Sequence, residues 1–203
     1  MGMIFGKVDV ERAVFESVVK TDAYEVRRYA PAVAVQVTMR SEAENNKAFG
    51  RLARYIGVFG RPENEAGGAA PAKVAMTAPV VNVRAKAATE KVAMTAPVVN
   101  VEGKGGEETM QFILPAKYTM ETAPTPTSEG VELVQLPERT YVVLQYSGRT
   151  TMEDAAKRVK ELAESLADHP DMKLDVDDWE LYRYNPPFTL PFLRTNEIAV
   201  RVV

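Results

Sequence analysis

The undecapeptide Lys-Val-Ala-Met-Thr-Ala-Pro-Val-Val-Asn-Val occurs twice without a substitution, at Lys73–Val83 and Lys91–Val101. Two copies joined by the short stretch Arg84–Glu90 cannot stack into a solenoid, which needs more repeats to bury a continuous core. The repeat therefore reads as a tandem-repeat insertion over 73–101 within one domain. Each copy carries β-branched residues and a proline, a pattern that suits an edge strand or a bulge better than a central strand, because proline offers no ladder N–H. Copy two is expected in the sheet, since Val98–Val101 can run through the turn Glu102–Glu108 into a strand at Thr109–Leu114. Copy one is then an added strand or an excursion. Identical sequences can in principle exchange places, because register follows the side-chain pattern.

The rest of the chain has a two-fold rhythm. Tyr24–Tyr29 and Ala32–Met39 alternate as strands and read as a hairpin broken at Ala30-Pro31. Ser41 opens a helix to about Ile56, and the glycine- and proline-rich stretch Gly57–Ala72 is a loop. Strands at Val131–Leu136 and Thr140–Tyr146 follow the Pro/Thr-rich connection Pro115–Gly130. A second helix starts with a capping-box pattern, Thr150 and Glu153, and its apolar stripe runs from Met152 through Ala155, Val159 and Leu162 to Leu166. His169-Pro170 ends it, and strands near Trp179–Tyr184 and Glu197–Val203 enclose the loop Asn185–Asn196. Each half thus reads strand, strand, helix, strand, strand, which predicts a pseudo-duplicated α+β domain with antiparallel sheets and one helix on each.

With 46% apolar residues the chain can bury one substantial core, and no linker divides it, so residues 1–203 read as a single domain with an N-terminal extension over 1–22. A net charge of −3, without basic clusters among aromatics, excludes a phosphate-tracking nucleic-acid surface. The absence of cysteine excludes disulfides, thiolate nucleophiles, sulfur-ligated zinc or iron–sulfur centres, and thioether-linked haem. No signal-peptide run or membrane span is legible, and the expectation is a cytoplasmic monomer.

The first helix attracts a functional reading. Phe49, Leu52 and Ile56 form its core face, Lys47, Arg51 and Arg54 a basic side, and between them runs a small-residue flank of Asn46, Gly50, Ala53 and Gly57. A mid-helix glycine costs about 1 kcal/mol against alanine, so something lies close to Gly50. A flat ligand with carboxylates reached by the neighbouring arginines would use such a platform, while a packed protein element explains the small residues equally well. The loop after Tyr184 places Phe188, Leu190, Phe192 and Leu193 in a proline-stiffened segment ending at Arg194, which either plugs the core or lines a pocket. His169 is the only imidazole, either an exposed helix terminus or an axial haem ligand. Met76 and Met94 are soft enough to ligate iron, although methionine in a strand usually packs. No Ser-His-Asp order, phosphate loop or metal-spaced cluster appears.

Tyr24-Glu-Val-Arg-Arg-Tyr29, the two Met-Thr-Ala-Pro-Val segments, Met110-Gln-Phe-Ile-Leu-Pro115 and Tyr184-Asn-Pro-Pro-Phe-Thr-Leu-Pro-Phe-Leu-Arg-Thr-Asn-Glu197 follow one another in order. Together they resemble the SOUL family of haem-binding proteins over most of the chain from about Ala23, and the repeated Ala-Met-Thr-Ala-Pro-Val resembles its plant and algal cytosolic branch. The resemblance implies a distorted barrel of two four-stranded antiparallel sheets flanked by two helices. It implies reversible, non-enzymatic binding of haem or another tetrapyrrole, for buffering or transport. By position it implicates Phe49, Leu52, Ala53 and Arg54, with Tyr184, Phe188 and Phe192 opposite; Lys47, Gly50 and Arg194 complete the candidate site. Where some members carry a histidine this chain has Arg28, and where some carry an early helical arginine it has Asn46. A hydrophobic site with basic edges is therefore expected, one that tolerates metal-free porphyrins. Two other readings stand beside it: an interaction module docking protein partners through the Pro-Pro loop or the repeat strands, and a tetrapyrrole-modifying enzyme using Arg54, Tyr55 or Tyr184 as its acid–base group.

Overall fold

The computed structural model describes residues 11–68, 70–84, 108–169, 172–185 and 189–203. In chain order these form β1 (Glu11–Arg12), β2 (Phe15–Lys20), β3 (Glu25–Tyr29), β4 (Ala32–Met39), α1 (Asn45–Ile56), β5 (Asn64–Glu65), β6 (Thr77–Ala78), β7 (Val80–Arg84), β8 (Glu108–Ile113), β9 (Thr125–Pro126), β10 (Glu132–Leu136), β11 (Arg139–Ser147), α2 (Met152–Ser165), β12 (Leu174–Arg183) and β13 (Thr195–Val202). The α+β class matches the sequence expectation.

Nine strands join in one antiparallel sheet of order β10-β4-β8-β7-β12-β13-β11-β3-β2. It does not close into a barrel, and two separate four-stranded sheets are not what the ladder contains. The order is nonetheless palindromic in the two halves. Halves β3-β4-α1-β7-β8 and β10-β11-α2-β12-β13 meet at the β7–β12 pair, and the first strand of each half pairs with the second strand of the other, β3 with β11 and β10 with β4.

That exchange corrects the hairpin expected at Tyr24–Tyr29 and Ala32–Met39. A two-residue hairpin turn needs positive φ in its centre, which proline cannot adopt. The connections are Ala30-Pro31 and Pro137-Glu138, and among the described residues only glycines have positive φ. The strands therefore part company. Along the ladder β3 lies six places from β4, roughly 29 Å in a flat sheet at about 4.8 Å per strand. Three peptide steps reach only about 11 Å, so the sheet must curl until both edges approach.

Helices cover the outside of the curl. Leu52, Tyr55 and Ile56 of α1 pack on Val35, Val37, Met110 and Phe112, and Ala155, Val159 and Leu162 of α2 on Val142, Trp179, Leu181 and Ile198. Alternate side chains fill the inside, where Tyr29, Tyr141, Tyr182, Val81 and Ile113 meet. Gly57 ends α1 at φ 83, and a Cβ there would stand 2.7 Å from the Pro62 ring, so only glycine serves. The α2 capping box is real but one residue later than expected: the Thr151 hydroxyl accepts from Asp154 N, and the Asp154 carboxylate accepts from Thr151 N at 3.1 Å. Thr150 is engaged elsewhere, its hydroxyl 2.8 Å from that of Tyr146.

Copy one of the repeat is a central strand, flanked by β8 and β12. Pro79 falls just ahead of Val80, outside the ladder, so it removes no sheet hydrogen bond and the edge-strand expectation fails. Copy two lies outside the described residues. Of the stretch 1–22, residues 15–20 form the sheet's edge strand, while Glu11–Arg12 pairs in parallel with Thr77–Ala78 and lies across the mouth of the curl.

Arg84 and Glu108 are register partners, so residues 85–107 only have to return the chain from one to the other. Deleting residues 85–102 leaves Gly-Lys-Gly-Gly-Glu as a hairpin loop. The shortened variant should fold and gain about 1 kcal/mol from reduced loop-closure entropy, read by urea unfolding; loss of the cooperative transition would refute the placement of copy one.

Candidate functional site

Nine of the ten residues singled out from sequence are described, and they stand in different surroundings. Leu52 and Ala53 are wholly buried beneath α1, so the small-residue flank is split: its Ala53 side faces the core. Phe49 is half-buried, its ring 5.5 Å from Phe112 in an edge contact. Lys47 and Arg54 are exposed, and Arg54 Nε lies 3.1 Å from a Glu63 carboxylate oxygen. Gly50 is the informative member. A Cβ added there would meet only the Arg54 guanidinium, at 3.7 Å. No packed element explains this glycine, and Lys47, Gly50, Arg54 and Val58 follow one another at helical spacing along an open flank.

On the Pro-rich loop, Phe192 is 70% exposed and Leu190 44%, so they do not plug the core. Arg194 donates from Nε to the Thr189 carbonyl at 2.9 Å. Phe188 lies outside the described residues. Tyr184 is turned to the inside of the curl, away from α1, and donates to Glu197 at 2.7 Å while the Arg12 guanidinium sits 5.2 Å above its ring. What ties the loop's origin to α1 is the preceding residue. Arg183, on the outer face, bonds Glu42 at 3.0 Å and Asn82, and Asn82 donates to Asn45 at 3.1 Å. Glu42 also accepts from Met152 N at 3.2 Å, so the N-termini of both helices share this knot.

His169 is exposed beyond the far end of α2, about 20 Å of helix away from that knot. It is an ordinary helix terminus, its N–H donating to Leu166 O at 3.0 Å. Met76 is 40% exposed and Met94 is outside the described residues. Among the described residues no cluster of three or more His, Cys, Asp or Glu is placed to hold a metal ion, and no helix is long and apolar enough to cross a membrane.

The sequence reading missed the polar interior of the curl. Arg27, only 8% exposed at its side chain, holds Glu197 through two bonds of 2.8 and 3.0 Å and Glu25 through Nε at 2.8 Å. Tyr141 donates to Glu180 at 2.6 Å. Burial, followed by the neighbouring carboxylates, pushes the phenols of Tyr141, Tyr182 and Tyr184 well up, and burial pushes Tyr29 up to about 12. Tyr55 is likewise raised by burial and donates to Pro124 O at 2.8 Å. Neither Tyr55 nor Tyr184 is poised to take a proton at neutral pH. The period-two alternation of Arg27 with Tyr29 and of Glu180 with Tyr182 and Tyr184 was the available signal, but it reads as a solvated face until the curl is known.

A family model described as SOUL heme-binding protein matches residues 10–201. No curated protein matches the chain. Among solved structures the fold resembles a hydrolase encoded by lin2189 from Listeria innocua, at 12% identity and TM-score 0.55, covering 92% of this chain and 94% of that one. An uncharacterized conserved protein from Listeria innocua aligns at 14% identity and TM-score 0.55, covering 88% and 92%. The C-terminal domain of EcmrR aligns at 7% identity and TM-score 0.53, covering 94% and 98%. At such identities these likenesses establish the fold alone.

Because a tyrosine raised on folding stabilises the protein only while protonated, that stability is complete below about pH 10 and is lost as pH rises toward 12. Urea unfolding between pH 8 and 11 should show a steep loss that Tyr29→Phe lessens, with phenolate absorbance appearing only as the protein unfolds. Arg27→Met should cost about 3–5 kcal/mol by leaving Glu197 buried without its cation, and Arg27→Met with Glu197→Gln should recover a measurable part of it in the same assay.

Proposed function

The chain belongs to the SOUL heme-binding protein family, and from that premise we propose that it binds haem or other tetrapyrroles reversibly, without converting them, as a cytoplasmic buffer or carrier acting as a monomer. The observation that supports this reading is the vacant approach to Gly50, where a Cβ would touch nothing but the Arg54 guanidinium at 3.7 Å. A mid-helix glycine on an open flank costs stability without a packing return. A macrocycle laid flat on it meets the helix backbone closely, with Lys47 and Arg54 at its edge to receive carboxylates and the rim of Phe49 beside it.

Opposite, the proposal places Phe188, Phe192 and Arg194 of the loop that leaves the Arg183 knot, Phe192 covering the macrocycle with a ring now 70% in solvent. Leu52 and Ala53 support this site from behind, while Tyr184, turned to the inside of the curl, stands apart from it. Haem held here brings a redox-active iron, but the donor set of this flank contains no histidine, cysteine or methionine. The residues fit a porphyrin held by its faces and its carboxylates, so metal-free and iron-loaded ligands are treated alike. A protein-docking role is the second reading, favoured by the exposure of Leu190 and Phe192 together.

Titration with haemin and with metal-free protoporphyrin, followed by Soret absorbance and tryptophan quenching, tests the proposal. Both ligands should saturate within about threefold of each other, and His169→Ala should change neither. Gly50→Leu should raise stability by about 0.5–1 kcal/mol yet weaken both ligands at least tenfold. Absence of saturable binding overturns the carrier reading, and binding indifferent to Gly50→Leu overturns the placement on α1.

A further inference from the structure

A cavity of about 270 Å³ opens between the N-terminal segment 11–14 and strands β3, β4 and β8, where Tyr29, Ala32 and Ile113 of the inner face meet Val33, Leu114 and Tyr118 of the core beneath α1. It is smaller than the roughly 300–1,000 Å³ usual for drug-sized ligands, and a porphyrin does not fit. Its walls are mostly apolar, with Val33, Ile113 and Leu114 beside the rings of Tyr29 and Tyr118.

One wall residue is out of keeping with that lining. Arg139 is 5% exposed, and its Nε has no hydrogen-bond acceptor. The nearest carboxylate oxygen, on Glu180, stands 3.8 Å from it, and NH1 reaches only the Pro137 carbonyl, at 3.3 Å. The contrast with Arg27 is sharp: there three nitrogens meet two carboxylates at 2.8 to 3.0 Å. The Arg139 guanidinium is held by the Pro137 carbonyl, by the Tyr29 and Tyr141 rings at 5.6 and 6.0 Å and by the more distant Glu180, which leaves the buried Nε as an unused donor. Arg12 adds a second cation at the rim, while the rim acid Glu11 is engaged by Ala116 N at 2.9 Å.

We propose that this cavity is a second ligand site, taking a small amphipathic carboxylate with its charged end at Arg139 and its apolar body along Val33, Ile113 and Leu114. A carboxylate matches a guanidinium with charge-assisted bonds, and the apolar body supplies the area to be removed from water. The segment bearing Arg12 and Ala13 is the gate, since β1 pairs outside the nine-stranded sheet, with β6 alone and over two residues.

Isothermal titration of the full chain with octanoate and 3-phenylpropionate tests this, with 1-octanol and octylamine as uncharged and cationic controls. The carboxylates should bind one to one, at least tenfold more tightly than 1-octanol, and octylamine should not saturate. Arg139→Met should abolish that preference. As that change strands Glu180, Ala13→Leu provides a second variant that fills the cavity from the surface segment and should weaken octanoate at least fivefold with an unchanged circular dichroism spectrum. Failure of the carboxylates to saturate by 5 mM (on the order of the weakest affinities counted as binding), equal binding of the alcohol, or indifference to Ala13→Leu would each overturn the proposal. Haemin binding on α1 should persist in the presence of octanoate, which keeps the two sites separately testable.

Discussion

Arg183 holds the two halves of this protein together on the outer face. It stands at the end of β12, beside the central β7–β12 pair, and gathers Glu42, Asn82 and Asn45 into one knot, with Glu42 also receiving the first-turn N–H of α2. Buried polar groups are tolerable only when each has a partner, and here the partners come from both halves. The repeat motif gains a physical meaning from this: Asn82, wholly buried in copy one, is the amide that links the helix start of the first half to the arginine of the second. Remove the knot and both helix N-termini lose their anchor at once.

Behind the knot, the two faces of the sheet do different work. Outside, aliphatic side chains seat the helices. Inside, tyrosines and buried ion pairs meet. Tyr29 is the hub, its ring 5.4 Å from Phe15, 6.0 Å from Tyr141 and 6.2 Å from Tyr182. Flat rings with one polar end suit a curled interior, since they pack edge to face and still reach a carboxylate.

Local features were the most legible in the sequence. The α2 stripe from Met152 to Leu166 is a helical period that nothing else imitates, and the Gly57 stop is written in the chain. Pairing was not legible, because alternation in Glu25–Tyr29 says which residues share a face and nothing about which strand lies beside them. The two prolines at the strand connections were visible, yet their exclusion of a tight turn becomes decisive only once a partner in the other half is known. Leu52 and Ala53 were assigned to the expected site by position, but at about 100° per residue they stand roughly 160° and 60° round the helix from Gly50 and are buried, and how the helix rolls on Phe112 and Val37 sets that difference. The capping box shifted by one residue for a similar reason, a tertiary contact from Tyr146 to Thr150.

The exchange of first strands between halves makes each half incomplete in a particular way: the slot beside β4 is filled by β10, and the slot beside β11 by β3. In its pairing such a chain matches a strand-swapped dimer joined end to end. Cutting the chain between the halves breaks three pairings, β10–β4, β7–β12 and β11–β3, and leaves three unpaired strand edges in each product, whereas a change of length between Arg84 and Glu108 breaks none of the described pairings.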